Sequence, residues 1–470
     1  MVERLVRWMP LALVLGVLTW IAQKTARPVS DPDDWWRLRL GNDLIAQHSL
    51  SAPAHWSPYA TVDWVPTEPL PEIVSAYVDR WFGLPGLAVL FCLFAMLVAI
   101  AVQITNRQVA GPIPATVATV VATLAASGSL TSRPQLMSFV LLPILLAAWL
   151  RTERDLKPRW WLVPVVWFWS LCHGFWFLGV GLGIAVVVGI ALSRRTDIRT
   201  LAKLAAVALS SLAVVALNPV GLGVLEAPFA VHSTAKYISE WQRTDLTLAG
   251  PLGAAAMIVI TALIWVATRQ GASWPRILLL LAAAFFLWYA VRLVIVAGLV
   301  AAPLFANALD VLVRRTGGRT DEDAVPLRLE VRVMAAWVLL GVIGVAVAAP
   351  YTSDKPADVP LALDPALDRL PAGTSVFNAY ELGGWIAWRH PDLHQYIDGL
   401  ITPYPTAHAD DFHRAETLAP GWYQVVRDSH APVALLATDS ALAGALEKKN
   451  WSTIDAGDGY VLLHAPGVSS

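Results

Sequence analysis

Asp31-Pro32-Asp33-Asp34-Trp35-Trp36-Arg37-Leu38 follows closely on an apolar run from Met9 to Ile21. Three carboxylates and two tryptophans thus stand where the chain has just left a stretch fit to enter a bilayer. Acids in that position suit chemistry on a substrate held at the membrane surface by a lipid. The rest of the sequence must say which face this is and what else gathers there.

Composition sets the class. Of 470 residues, 56% are hydrophobic and 15% charged, with a mean hydropathy of +0.56. Soluble domains carry about 25% charged residues, so the chain reads as an integral membrane protein. A net charge of -1 gives no support to nucleic acid as a partner and leaves membrane lipids. Cys92 and Cys172 both lie in apolar runs, with no CxxC or zinc spacing. Arg4 and Arg7 before the first apolar run resemble a signal peptide, but no A-x-A site follows, and an uncleaved first span is expected.

A span needs about 20 mostly apolar residues. On that rule about eleven are expected, centred near residues 14, 94, 120, 143, 166, 184, 209, 259, 282, 301 and 342. With a cytoplasmic N-terminus, the inner loops hold most of the arginines: Arg4 and Arg7, Arg107, Arg151 to Arg159, Arg194 to Arg199, Arg269 and Arg276, and Arg314 to Arg332. The short outer loops hold only Arg133, Lys236, Arg243 and Arg292. The positive-inside rule therefore predicts a multi-pass plasma-membrane protein with its N-terminus in the cytoplasm and its C-terminal domain outside.

Three segments are too polar for the membrane: 24–81, 218–248 and 351–470. The parity of the spans puts all three on the outer face. Residues 1–350 are expected to form the transmembrane domain, and 351–470 a small extracytoplasmic α/β domain. In that tail, strand-like runs at Thr374 to Phe377, Gln395 to Ile397, Val433 to Ala437 and Tyr460 to His464 alternate with helical stretches such as Ala441 to Lys449. Residues 313–332 read as a linker.

Polar groups at membrane depth are costly and tend to be functional. Arg133 and Gln135 sit between the third and fourth spans, and His173 with Gly174 between the fifth and sixth. Asn218-Pro219 ends the seventh, Glu240-Trp241 closes the next loop, and Arg292 ends the ninth. On the expected topology all of these share the outer side with Asp31 and Asp33. Sugar transfer from a polyprenyl phosphate needs such a set. A carboxylate takes the acceptor's proton or holds a divalent metal, Mg or Mn. Arginine forks neutralise the departing phosphate, and aromatic faces suit a sugar ring. Asp33 or Asp31 would fill the first role, Arg133 and Arg292 the second, and Trp36 or its neighbours Trp35, Trp56 and Trp64 the third. Gln135, His173 and Glu240 complete the candidate substrate-binding set.

Asp31-Pro32-Asp33-x-Trp35-Trp36, with Leu38, Gly41 and Ile45, resembles the first outer loop of a bacterial group of membrane proteins related to the GT-C (family 39-like) glycosyltransferases. Further pieces match in order: Trp56-Ser57-Pro58-Tyr59-Ala60-Thr61, Trp64 with Glu68 and Glu72, Arg133-Pro134-Gln135, Trp169 with His173-Gly174, Leu217-Asn218-Pro219-x-Gly221, Glu240-Trp241, and Arg292 before Ala301-Pro303. In the tail, Val376-Phe377-Asn378-x-Tyr380-x-x-Gly383-Gly384 and Tyr396-Ile397-Asp398-Gly399 match as well. The resemblance implies an all-α polytopic fold with an acid of the first outer loop in catalysis or metal binding, and a lipid-phosphate sugar as donor. Asp33 and Asp31 match those acids. The chain departs from the pattern at Arg37, where many members have His, which weakens a His-assisted metal site.

Each signal also has an architectural reading. Asp31, Asp33 and Asp34 suit the cap and first turn of a helix starting near Trp35. The tryptophans suit an interfacial belt, and Arg133 and Arg292 suit snorkelling anchors. Glu68 and Glu72 would share one helix face, either solvated or in a site, while Asn378 and Asp398-Gly399 suit turns. Two other functions stay open: a non-catalytic subunit that binds a glycan or lipid, and a lipid-carrier transporter or flippase. The second fits less well, because the polar residues gather at span ends rather than at mid-membrane.

Overall fold

The computed structural model describes residues 2–50, 56–62, 64–194, 196–226, 236, 238–315 and 325–467. Residues 227–235 and 237 of the second polar loop, 316–324 of the linker, and with them Arg195 and Arg319, lie outside the described residues. The chain divides into two compact units. One takes in Met1–Arg27, Ala88–Pro228 and Ile238–Thr352, and the other is built chiefly on Pro28–Leu87 and Ser353–Ser470.

Each of the eleven expected span centres falls on a helix. These are α1 (Val2–Thr25), α3 (Pro69–Arg107), α4 (Pro112–Ala125), α5 (Gln135–Asp155), α6 (Leu162–Ser170), α7 (Trp176–Leu192), α8 (Ile198–Ala213), α9 (Ala249–Thr268), α10 (Trp274–Tyr289), α11 (Val294–Arg315) and α12 (Leu327–Thr352). Between α1 and α3 lies α2 (Pro32–Gln47), which belongs to the first polar segment. Among the described residues, six are long and apolar enough to cross a membrane: α3, α5, α8 with its 3-10 extension, α9, α11 with the turn before it, and α12. Helices α4, α7 and α10 are shorter apolar helices.

Helix α11 is the hub of the first unit. It is apolar on every side, and every residue from Val294 to Ala306 is buried, as expected of a helix enclosed by others. Gly298 and the alanines at 297, 301, 302 and 306 keep its surface flat, so α4, α9 and α10 approach closely.

In the second unit the tail forms a five-stranded sheet in the order β2-β1-β3-β5-β4. Strand β1 (Ser375–Asn378) runs parallel to β2 (His394–Gln395) and β3 (Val433–Ala437), while β5 (Tyr460–His464) lies antiparallel to β3 and β4 (Ser452–Gly457). Strands β3 and β5 stand where the sequence puts them. Strand β4 was not expected: it is an edge strand, almost wholly exposed and carrying a register shift between Thr453 and Asp455. Asp458 (φ 55) and Gly459 (φ 83) join it to β5, both left-handed as a two-residue hairpin of the Asp-Gly type requires.

Candidate functional site

Two polar clusters stand out, one in each unit. In the first unit, Glu240 sits in a short 3-10 turn, Ser239–Trp241, and Arg292 in another, Val291–Leu293. The two turns are tied by the Val291 N–H donating to the Gln242 carbonyl at 3.1 Å. Arg133, just before α5, reaches one carboxylate oxygen of Glu240 at 2.5 Å, and Arg292 faces the other at 3.4 Å. One acid thus aligns two guanidinium groups. The side chains are 16%, 31% and 20% exposed for Arg133, Glu240 and Arg292, so the group stays accessible. Arg292 also lies over the rings of Phe175 (5.6 Å) and Trp241 (5.8 Å), a stacking that suits its planar cation.

Phe175 carries the cluster on to His173, whose ring meets it edge-on at 4.5 Å. His173 is buried, and its Nδ1 accepts the Phe175 backbone N–H at 3.1 Å. Ser138 Oγ lies 3.0 Å from the same nitrogen and itself accepts the Trp169 indole N–H at 2.7 Å. With Nδ1 occupied as an acceptor, this network assigns the neutral ring's proton to Nε2. Gln135 takes another direction: its amide donates to the Ser129 carbonyl at 3.4 Å. Asn218 ends the 3-10 turn Val214–Leu217 and bonds Ser170 through both carbonyl and hydroxyl, so it is a terminator that also fastens two segments.

In the second unit, Asp31 is the N-cap of α2, accepting the Asp33 N–H at 3.1 Å, with Pro32 in the first helical position. The helix therefore begins three residues before Trp35. Asp33 Oδ1 accepts the Trp36 indole N–H at 3.1 Å, and Oδ2 faces Arg37 at 3.7 Å. Arg37 turns to Glu68 at 3.4 Å and lies over the Trp36 ring at 4.7 Å. Arg37 and Glu68 are closed off at 8% and 9% exposure, while Asp33 keeps 20%. Glu68 and Glu72 are both buried, so the solvated-face reading of that pair does not hold. Trp36 is buried too, and acts through its N–H and its packing against Arg37. Trp35 lies between Trp385 (5.1 Å, edge-on) and Trp388 (5.3 Å, stacked).

The glycines of the tail explain why this cluster can form. A Cβ at Gly399 would come within 2.5 Å of Asp33 Oδ1, and one at Gly384 within 3.0 Å of the Trp36 backbone nitrogen. Helix α13 (Gly383–Arg389) thereby packs against α2. Asp398 is fully buried beside them, accepting from Gln395, Tyr404 and the Leu400 N–H. Burial pushes its carboxyl above the usual range, opposed by those hydrogen bonds and helped by the charge of Asp33. Asn378 bonds Ile397 and Tyr396, closing the end of β1 onto the segment after β2.

Among the described residues, no three His, Cys, Asp or Glu side chains gather as metal ligands would. Asp31 and Asp33 fit a divalent cation poorly, because the oxygens of Asp33 face the Trp36 N–H and Arg37 while Asp31 caps the helix.

The sequence pointed to Arg133, His173, Glu240 and Arg292, and the structure brings them together. It missed Ser138 and Phe175 as members, and named Trp241 only as the neighbour of Glu240. Ser138 carried a signal, being a hydroxyl within an apolar run one turn after Gln135. Phe175 did not, since aromatic residues are common throughout the chain.

No protein-family model and no curated protein sequence matches the chain. Its structure is similar to the apo oligosaccharyltransferase of Archaeoglobus fulgidus, with a TM-score of 0.54 and 14% identity over 92% of this chain and 70% of that one. It is also similar to ArnT from Cupriavidus metallidurans, solved with undecaprenyl phosphate bound, with a TM-score of 0.51 and 16% identity over 97% of each chain. At such identities the likeness is one of fold. The chain is a multi-pass membrane protein with the GT-C-like fold shared by these two transferases.

Proposed function

We propose that the chain transfers a sugar from a polyprenyl-phosphate carrier to an acceptor hydroxyl on the outer face of the plasma membrane. The observation that carries this reading is the pair of arginines, Arg133 and Arg292, drawn onto the single carboxylate of Glu240. Two guanidinium forks converging on one anionic group form a mount for a phosphate leaving group. The likeness to ArnT bound to undecaprenyl phosphate supports the carrier.

In the proposed reaction the acceptor oxygen attacks the anomeric carbon and the bond from that carbon to the phosphate oxygen breaks. Asp33, the accessible acid of its cluster, takes the acceptor's proton. Arg37 and the Trp36 indole N–H position it, and these roles need no metal. Arg133 and Arg292 stabilise the charge that gathers on the departing polyprenyl phosphate. His173 presents an Nε2–H donor, and the charge pattern of the loops supports the outward-facing arrangement.

A second reading, in which the chain holds a lipid-linked glycan without turning it over, draws on the capping role of Asp31 and the engagement of Asp33 by Trp36. Adding undecaprenyl phosphate to the purified protein in lipid nanodiscs tests the phosphate site. The wild type is expected to gain thermal stability and the Arg133→Ala/Arg292→Ala double variant to gain none. Equal gains in both would remove the two arginines from the proposal.

A further inference from the structure

The carboxylate of Glu240 is shared between two cations, one oxygen meeting Arg133 at 2.5 Å and the other facing Arg292 at 3.4 Å. The contact with Arg292 is the looser of the two, and that guanidinium has other support. It lies over the rings of Phe175 and Trp241, and its turn is tied to the Glu240 turn by the Val291 N–H on the Gln242 carbonyl. Arg292 therefore does not depend on Glu240 alone for its place. In a group this open to solvent an ion pair adds little stability, and a neutral acceptor such as Gln would hold the arginines nearly as well. A carboxylate adds what an amide lacks, a full negative charge beside the place where a phosphate is to bind.

That charge matters because the proposed reaction changes the charge of its lipid. The donor, a glycosyl polyprenyl phosphate, is a phosphodiester with a single negative charge. Breaking the bond from the anomeric carbon to the phosphate oxygen leaves polyprenyl phosphate, a monoester carrying about −1.5 to −2 near pH 7. The acceptor's proton goes to Asp33, so the new charge stays on the phosphate. Two guanidinium groups without Glu240 would hold that dianion most firmly, and the product would linger. A fixed carboxylate repels a ligand in proportion to the ligand's charge, so it costs the dianion twice what it costs the diester.

We propose that Glu240 is the charge-discriminating residue of the phosphate site. It lowers the affinity for the doubly charged product more than for the singly charged donor, and so promotes release of polyprenyl phosphate. This inference rests on the phosphate role given above to Arg133 and Arg292. The two arginines still stabilise the charge that grows on the leaving oxygen, since two positive charges outweigh one negative.

Two lipids that differ by one charge test it: undecaprenyl phosphate and its methyl diester. Each is titrated against the full chain in nanodiscs of neutral lipid at about pH 8, where the monoester is a dianion. Relative to wild type, Glu240→Gln is expected to bind the diester about tenfold and the dianion about a hundredfold more tightly. Those are the effects of one and two charges about 6 Å from a carboxylate at an effective dielectric of about 40. Glu240→Asp keeps the charge and should keep the wild-type ratio of the two affinities. The ratio is the readout, so a loss of folded protein that weakens both lipids alike cannot imitate the effect. An unchanged ratio in Glu240→Gln, or an altered one in Glu240→Asp, would overturn the role of Glu240 and leave the arginine mount standing. If the wild type binds neither lipid, the phosphate reading itself falls, and this inference with it.

Discussion

Arg292 and Arg37 both lie against an aromatic ring and beside a carboxylate, yet their surroundings differ. Arg292 keeps 20% of its side chain exposed and faces an acid that also serves Arg133. Arg37 is 8% exposed and placed between Asp33 and the closed-off Glu68. The first arrangement leaves cations that an incoming anion can reach. The second uses a cation as structural packing and leaves one acid, Asp33, within reach of solvent. One cluster is thus built to receive charge and the other to hold a single carboxylate in place.

Asp33→Asn should sharpen that contrast most. The amide can still accept the Trp36 N–H, so the thermal midpoint should hold while sugar transfer falls by about a thousandfold, within the span known for a lost general base. Retained transfer would reduce Asp33 to an architectural residue. The next largest effect is expected from Arg37→Ala, which leaves Glu68 and Asp33 without the cation between them. Denaturant unfolding should show a loss of about 3 kcal/mol, and a loss below about 1 kcal/mol would show the cluster to be solvated rather than closed.

Arg292→Lys tests the receiving side. It keeps the charge but loses the fork and the stacking on Phe175 and Trp241, so polyprenyl phosphate should bind about tenfold more weakly with the fold unchanged. A smaller effect, about 1 kcal/mol of stability with transfer unchanged, is expected for Asp31→Ala, the loss of a helix cap. A large loss of transfer instead would give Asp31 a place in the chemistry.

The smallest effect concerns pH. Asp398 has a raised pKa when folded, so the folded chain holds that proton more tightly than the unfolded one. Its stabilising contribution is full below the ordinary carboxylate range and is lost as pH rises through the raised value. Relative to Asp398→Asn, whose amide does not titrate, the wild type should gain in thermal midpoint as pH is lowered from about 7 to about 4. A constant difference across that range would contradict the buried acid.

Much of this was legible locally. Apolar runs located eleven helices, and Asp31-Pro32 carried the start of α2, though the helix begins earlier than Trp35 because the cap precedes the proline. Charges at the ends of apolar runs picked out Arg133, Glu240 and Arg292, because few polar residues occur there and each had to find a partner. What stayed hidden depends on contacts between distant segments. Nothing near Gly384 or Gly399 announces that their missing side chains make room for Trp36 and Asp33. Arg37 read as a lost histidine, and only the packed structure shows it joined to Glu68. Strand β4 lacked any alternation because it is an exposed edge with no face to bury.

The most direct test of the central claim follows a radiolabelled sugar in a panel of polyprenyl-phosphate donors incubated with the purified wild-type chain and candidate acceptors. The account predicts that label leaves at least one donor and appears on an acceptor, with free polyprenyl phosphate formed in equal amount. A donor that binds and stabilises the protein while keeping its label would contradict transfer and leave a glycan-lipid binder in its place.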